Sequence, residues 1–362
     1  MSLKTPLIIF MILLPLTLSV LPTAHADSGQ WVKLASNPVL QPTAGTWDAD
    51  YVTSPRVLFD GKTFRMWYQG GFSGNSQIGY ATSLDGITWQ KYKDTVMQPG
   101  NPGDWDSSLV ALGSVLWNGT MFLMWYAGSN PTTYQNGAIG LAYSANGTSW
   151  VKYSGNPVLT GTVAGYDSKY IAGPYVIALN LTYNMWYTGR NFPATGTNNG
   201  NKILYATSYD GINWTKWPNP VLSPPSDPTA WDSGGVYAPS VTFDGKNFGL
   251  WYSALNQNLT APNVGFASSP DGATWTRSSS NPILSPGPPG SWDASGVEQT
   301  SPVQVGGSYF LYYDSGSKIG LAQSPHGFAI PEFPTPIIAL FLGLIASTAV
   351  LLTHQRRRQK QQ

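Results

Sequence analysis

The 362 residues contain no cysteine, so neither a disulfide nor a thiolate metal site can hold this chain together. Histidine occurs three times, at His25, His326 and His354, which excludes a histidine-rich metal centre, and no residue pattern points to a structural calcium or any cofactor. Charge is scarce too: Asp, Glu, Lys and Arg make up 10% of the chain, against roughly 25% in ordinary soluble domains. Between residues 27 and 330 there are 14 Lys and Arg against 17 Asp and Glu, a balance that argues against a nucleic-acid partner. That stretch contains one glutamate, Glu298. What is abundant is glycine and proline (39 and 29 residues), which break helices, and aromatic residues at 13%, far too many for a disordered linker. Stability must come from packing, and the composition reads as an all-β domain.

Two terminal segments stand apart. Lys4, an apolar run from Leu7 to Val20 and the small-x-small site Ala24-His25-Ala26 read as a signal peptide over residues 1–26. At the other end, residues 331–362 contain an apolar stretch, about 337–353, followed by Arg356, Arg357, Arg358 and Lys360. Its length just suffices for one membrane span with the basic end cytoplasmic. Residues 27–330 are the domain between them, expected on the extracellular face of the cell membrane.

That domain is a five-fold repeat. Met66-Trp67-Tyr68 returns as Met124-Trp125-Tyr126, Met185-Trp186-Tyr187, Leu250-Trp251-Tyr252 and Leu311-Tyr312-Tyr313. Trp47-Asp48 returns as Trp105-Asp106, Tyr166-Asp167, Trp231-Asp232 and Trp292-Asp293. Each copy carries four short apolar runs separated by turn signals such as Asp60-Gly61 and Asp85-Gly86, the pattern of four antiparallel strands. Such a unit is one blade of a β-propeller, and five copies predict five blades. The fourth-strand signature, Trp89-Gln-Lys91 and its equivalents, is missing after the last copy but present before the first as Trp31-Val-Lys33. The N-terminal strand is therefore expected to complete blade five and close the ring, covering an exposed edge.

The run Ile78-Gly-Tyr-Ala-Thr-Ser-Leu-Asp-Gly-Ile-Thr-Trp resembles the five-bladed propeller glycosidases, the superfamily of arabinanases, β-xylosidases, invertases and levansucrases. The resemblance covers nearly all of residues 31–328 and rests on blade repeats, so it is specific for fold rather than activity. The turn Ser83-x-Asp85-Gly86-x-Thr88-Trp89 is also similar to the sialidase Asp-box, one residue shorter before the glycine. Pro331-Glu332-Phe333-Pro334, the apolar stretch and the arginine cluster together resemble the PEF-CTERM sorting tail of archaeal surface proteins, which implies processing by an archaeosortase-like enzyme.

Residues present in every copy serve the blade, so chemistry is sought where the repeat is broken. The Trp-Asp aspartates drop out as structural. Asp50 and Glu298 remain, at the start of the innermost strands of blades one and five, neighbours in a closed ring; a facing acid and base is what glycoside hydrolysis needs. Asp314 follows the aromatic pair of blade five, where other blades carry Gln69, Ala127, Thr188 and Ser253. Arg56 and Arg190 also break the repeat and are suited to hold a carboxylate ionised or bind an acidic substrate group. Tyr237, in the inner strand of blade four, is a further substrate-binding candidate.

The expected activity is hydrolysis or transfer of a glycosidic bond in an oligo- or polysaccharide, with Glu298 as acid, Asp50 as base and Asp314 as a third catalytic candidate. Against it, the arabinanase-like resemblance implies an acid Glu in blade three, and residues 166–217 contain none. The resemblance also implies a second Asp in blade two, where Asp106 belongs to the repeat. The competing expectation is a non-catalytic carbohydrate-binding or structural propeller at the cell surface.

Overall fold

The computed structural model describes residues 31–133, 136–191, 200–258 and 260–324. They form an all-β ring of five small antiparallel sheets, the five-bladed propeller expected from the repeat. Blade one consists of Tyr51–Phe59, Phe64–Phe72, Asn75–Ser83 and Gln90–Lys91, paired in that order from the axis outward. In blade five, Glu298–Val305, Ser308–Ser315 and Lys318–Ser324 are completed by the N-terminal Val32–Lys33, with Val32 opposite Gln323. Blade two carries an extra short strand, Leu159–Thr160, against Ala138–Ser144.

Each blade is held by one buried aspartate. Asp48, Asp106, Asp167, Asp232 and Asp293 are 1–2% exposed, and each accepts a hydrogen bond from the second-strand tyrosine of its own blade (Tyr68 to Asp48 and Tyr126 to Asp106, both 3.0 Å). A fourth-strand cation completes the arrangement: Lys91 at 2.6 Å from Asp48, Lys152 at 2.6 Å from Asp106, Lys216 on Asp167 and Arg277 at 2.7 Å from Asp232. In blade five the cation is Lys33 of the closing strand, on Asp293. Ring closure thus reproduces the same ion pair with a residue more than 250 positions away.

In blades one, two, four and five the tryptophan before the aspartate packs against the same tyrosine, as Trp47 does on Tyr68 at 5.7 Å between ring centres. A glycine beneath makes room: a Cβ on Gly79 would lie 2.5 Å from the Tyr68 ring and 2.6 Å from Trp47. Gly140, Gly265 and Gly320 are crowded by the corresponding rings. Blade three replaces both partners together. Tyr166 stands in place of the tryptophan, and buried Leu204 in place of the glycine.

Between blades the second-strand indole reaches the next blade's turn. Trp67 Nε1 donates to Gly147 O (2.7 Å), Trp125 to Gly211 O (3.0 Å) and Trp186 to Gly272 O (2.7 Å). In blade five, where tyrosine replaces tryptophan, Tyr312 Oη donates to Gly86 O at 2.8 Å. The loss of the indole at Leu311-Tyr312-Tyr313 leaves this contact intact.

Among the described residues no helix is long and apolar enough to cross a membrane. The expected leader (1–26) and sorting tail (331–362), with its apolar stretch, lie outside the described residues, as does His326.

Removing the closing cation tests the ring. Lys33→Ala strands Asp293 with only neutral partners and is expected to cost about 2 kcal/mol, the range for a hydrogen bond to a charged group. Lys93→Ala, which deletes an exposed pair with Asp94, should change stability by less than about 0.5 kcal/mol. Denaturant midpoints of the two variants check this; equal midpoints would remove Lys33 from the closure.

Candidate functional site

The inner strands are not regular. In blades one, three, four and five the pairing skips two residues: between Thr53 and Arg56, Ala172 and Tyr175, Tyr237 and Ser240, and Glu298 and Ser301. The first skipped residue adopts the left-handed region, with φ of 51° at Ser54, 56° at Gly173, 48° at Ala238 and 50° at Gln299. Three of these four are not glycine, a conformation held only where surroundings over-determine it. Bulges of this kind bend a strand and re-aim its side chains. Here they turn backbone N–H groups toward the neighbouring blade. Ala238 N–H donates to Thr188 Oγ1 (2.9 Å), Gln299 N–H to Ser253 Oγ (2.9 Å) and Ser54 N–H to Asp314 Oδ2 (2.6 Å).

Asp314 is thereby placed. It occupies the acceptor position that Thr188 and Ser253 occupy in other blades, and it is 2% exposed. A carboxylate there is a departure in charge rather than in geometry. Ser54 strengthens the junction by donating from Oγ to Gln299 Oε1 at 2.6 Å.

Glu298 stands directly opposite Asp314 in the strand pairing of blade five. In the other blades its position is filled by Thr53, Ala111, Ala172 and Tyr237. Thr53, Ala111, Ala172 and Glu298 are each half-buried, so solvent reaches this level of the axis. Tyr237 is buried and donates its hydroxyl to Glu298 Oε2 at 2.8 Å. Burial raises the Glu298 pKa above the ordinary glutamate value, and the Tyr237 hydrogen bond opposes this only in part. Burial likewise lifts Asp314 well above the ordinary aspartate value, and the neighbouring Glu298 adds to it; the Ser54 N–H and Arg56 pull the other way. Two adjacent recessed carboxyls cannot both ionise freely, so at least one holds a proton where ordinary carboxyls have lost theirs.

Below this pair lies Arg56, 3% exposed, reaching across the axis. Its Nε donates to Gly113 O of blade two, and Nη1 donates to Pro55 O (2.7 Å) and to Thr300 O of blade five (3.1 Å). The guanidinium sits 5.7 Å from the Tyr175 ring of blade three, and Ser240 of blade four donates to the same Thr300 carbonyl. All five blades meet in this layer. Arg56 is a buried cation held by carbonyls, with its pKa pulled down to about 10 by burial against the opposing pull of Tyr175 and Asp314.

Arg190 ends the second strand of blade three at the same end of the ring at which Glu298 begins its strand. Its guanidinium lies 5.1 Å from the Tyr170 ring, and Nη1 donates to Asn201 Oδ1 at 3.3 Å. Tyr170 feels both ends of the site. Burial raises its pKa, Arg190 counters this and Glu298 adds to it.

Asp50 is exposed, three residues before Thr53, which places it about 10 Å up the strand from the Glu298 level. Its Oδ2 accepts from Ser73 N–H (2.8 Å) in the adjoining hairpin. The structure therefore brings Glu298, Asp314 and Tyr237 together, sets Arg56 beneath them and Arg190 beside Tyr170, and leaves Asp50 on the rim. Asp106, the other blade-two candidate, is committed to Tyr126 and Lys152. Among the described residues no group of three or more His, Cys, Asp or Glu could hold a metal ion.

Tyr170, Asn201 and Gln299 belong to the site and were not legible as such. A sequence feature that marks their level is the small-residue–proline pair Ser54-Pro55, Gly173-Pro174 and Ala238-Pro239, which falls at the bulge in three inner strands.

Because both carboxyls are raised, each adds a stability cost that is absent below the ordinary carboxylate range, grows as pH rises from there and is complete above its folded pKa. Glu298→Gln is accordingly expected to stabilise the chain at pH 7 and to have no stabilising effect near pH 3. Thermal melts of wild type and variant across pH 3–8 check this; a pH-independent difference would mean that Glu298 is not raised.

No protein-family model matches the chain. An uncharacterized protein of Mycobacterium tuberculosis is 27% identical over 294 residues, covering 79% of this chain and 94% of its own length. Among solved structures, a glycoside hydrolase of the GH130 family of mannoside phosphorylases, which targets β-1,2-mannosidic linkages in Candida mannan, superposes with a TM-score of 0.65 at 21% identity, over 86% of this chain and 98% of that one. The β-1,2-mannobiose phosphorylase of Listeria innocua superposes with a TM-score of 0.63 at 12% identity, over 82% and 97%. At these identities the likeness establishes a shared five-bladed fold.

Proposed function

We propose that this chain acts on extracellular carbohydrate at the axial mouth of the propeller, cleaving or transferring a glycosidic bond with Glu298 as the proton donor. The observation that carries this reading is the Glu298–Asp314 pair with its Tyr237 hydrogen bond. It is a carboxyl with a raised pKa, reached by solvent, at a position where the other four blades carry Thr, Ala, Ala and Tyr. A general acid for a sugar leaving group needs that property. Burial holds the Glu298 proton, while Asp314, 2% exposed and engaged by Ser54, does not itself meet substrate.

In the step, the Glu298 proton passes to the glycosidic oxygen as the bond from that oxygen to the anomeric carbon breaks. An acceptor oxygen, from water or another hydroxyl, bonds to that carbon and gives up its proton. We assign that proton to Asp50, exposed on the rim of the adjacent blade with one oxygen on Ser73. Arg56 closes the axis below, so substrate enters from the Glu298 end. The sugar-active enzymes that share the fold support this reading.

One observation favours a second reading, a carbohydrate-binding propeller without catalysis: the inner-strand level reached by solvent carries a single carboxyl, Glu298. The leader and the PEF-CTERM-like tail support an exported protein held at the outer face of the membrane, with an archaeosortase-like enzyme as a processing partner.

Product release by the full chain from neutral and acidic oligosaccharides tests the catalytic reading. Glu298→Gln is expected to reduce turnover by roughly 100- to 10,000-fold, the usual contribution of a general acid. Asp314→Asn, which keeps an acceptor for Ser54 N–H, should instead leave the alkaline limb of the pH profile in place, because burial is what raises Glu298. Full turnover by Glu298→Gln would discard it as the acid; binding without cleavage by wild type would favour the second reading.

A further inference from the structure

Five of the fourteen cations between residues 27 and 330 serve the blade aspartates: Lys33, Lys91, Lys152, Lys216 and Arg277. Arg65 and Lys93 pair with surface aspartates, and Arg56 spans the axis. Three of the others gather at one place. Lys169 immediately precedes the inner strand of blade three, Arg190 ends its second strand and Lys202 begins its third, all at the end of the ring where Glu298 stands. Among the described residues none of the three takes part in an ion pair. Lys202 is half-buried, and that burial lowers its pKa, so part of the charge is recessed without a counter-charge. A domain with more acids than bases has left one blade mouth positive.

Arg190 is prepared in a more specific way. Tyr170 covers its plane and Asn201 occupies Nη1, while Nε is buried with no hydrogen-bond partner. A buried guanidinium N–H without an acceptor is costly unless something supplies one. The edge formed by Nε and Nη2 is the edge that takes the two oxygens of a planar anion side by side. Tyr170 ties this edge to the chemistry, since it pairs with Arg190 and stands two residues before Ala172, the blade-three counterpart of Glu298.

From this we infer that the blade-three mouth is a subsite for an anionic sugar: Arg190 takes the carboxylate of a uronic acid residue through its Nε–Nη2 edge, with Lys169 and Lys202 supplying the surrounding positive field, and the adjoining sugar is set toward Glu298. The inference rests on the carbohydrate reading above and narrows its substrate class. A planar carboxylate fits a single guanidinium edge. A tetrahedral phosphate is held by donors arriving from several directions, and Asn201 turns its acceptor oxygen toward Nη1.

The test is calorimetric titration of the full chain with oligogalacturonates and glucuronic-acid oligosaccharides, their carboxyl-reduced neutral counterparts, and inorganic phosphate. Uronate oligosaccharides are expected to bind, to bind more weakly as salt rises, and to lose roughly 10- to 100-fold in affinity in Arg190→Gln, the range for charge-assisted hydrogen bonds. Arg190→Lys, which keeps the charge and loses the fork, should recover only part of this, and melting curves establish that both variants fold. Equal binding of charged and reduced sugars, or unchanged uronate affinity in Arg190→Gln, overturns the subsite while leaving a carbohydrate protein. Phosphate binding that depends on Arg190, without uronate binding, reassigns the subsite to a free anion and overturns it as well. Failure of every sugar, neutral and charged, removes both this inference and the reading it rests on.

Discussion

The constraint on which the structure depends is the burial of one carboxylate per blade. A carboxylate on a residue that is 1–2% exposed is tolerable only when opposite charge and hydrogen bonds replace its lost water. In every blade those come from two different strands: the hydroxyl from the second, the cation from the fourth. A blade missing its outermost strand therefore lacks more than a few backbone hydrogen bonds; it holds an uncompensated charge. This is the physical reason the last blade cannot end with its third strand, and why Lys33, at the opposite end of the chain, is drawn to Asp293. Ring closure and blade stability are one electrostatic requirement.

Once that requirement is met five times over, a position is free to vary only where it carries none of the shared contacts. The second-strand column of Gln69, Ala127, Thr188, Ser253 and Asp314 shows how a departure is accommodated. Thr188 and Ser253 accept the neighbouring blade's N–H with a hydroxyl, and Asp314 does so with a carboxylate. The hydrogen bond is kept while a charge is added beside Glu298. The tryptophan–glycine pairs show the complementary case: where Tyr166 replaces the tryptophan, buried Leu204 replaces the glycine.

What could be read without coordinates divides along the same line. Blade number, strand count and closure by Trp31-Val-Lys33 were legible because they are written five times in residues that punctuate chains locally, such as Asp-Gly turns and paired aromatics. The structural reading of the Trp-Asp aspartates held for the same reason. The partners of Glu298 were less legible. Asp50 stands nearer to it in the ordering of motifs along the blades than Asp314 does, yet strand pairing sets Asp314 opposite Glu298 and leaves Asp50 about 10 Å further out, on Ser73. That outcome turns on a two-residue skip at the inner-strand bulge, and register is a property of two strands together. Arg56 followed the same pattern: it broke the repeat visibly, but only the assembled axis shows that its guanidinium meets carbonyls from three blades rather than solvent.

These arrangements fix how the axis divides its labour. In the Arg56 layer Nε and Nη1 are on carbonyls of three blades with aromatic cover from Tyr175, so the cation there ties blades together. One layer outward the balance reverses. Glu298 and Asp314 sit side by side with one hydroxyl and one N–H between them, too few donors to hold two negative charges away from water. A plugged floor beneath an under-compensated carboxyl pair is a stable fold that retains one proton above the ordinary carboxylate range where solvent can reach it. Such a group is costly to the protein at rest, and the cost persists only because five interlocked blades exceed it. The same logic applies to the buried, partnerless Nε of Arg190: the ring supplies the rigidity, and the uncompensated groups at its mouth are where a ligand has interactions to contribute.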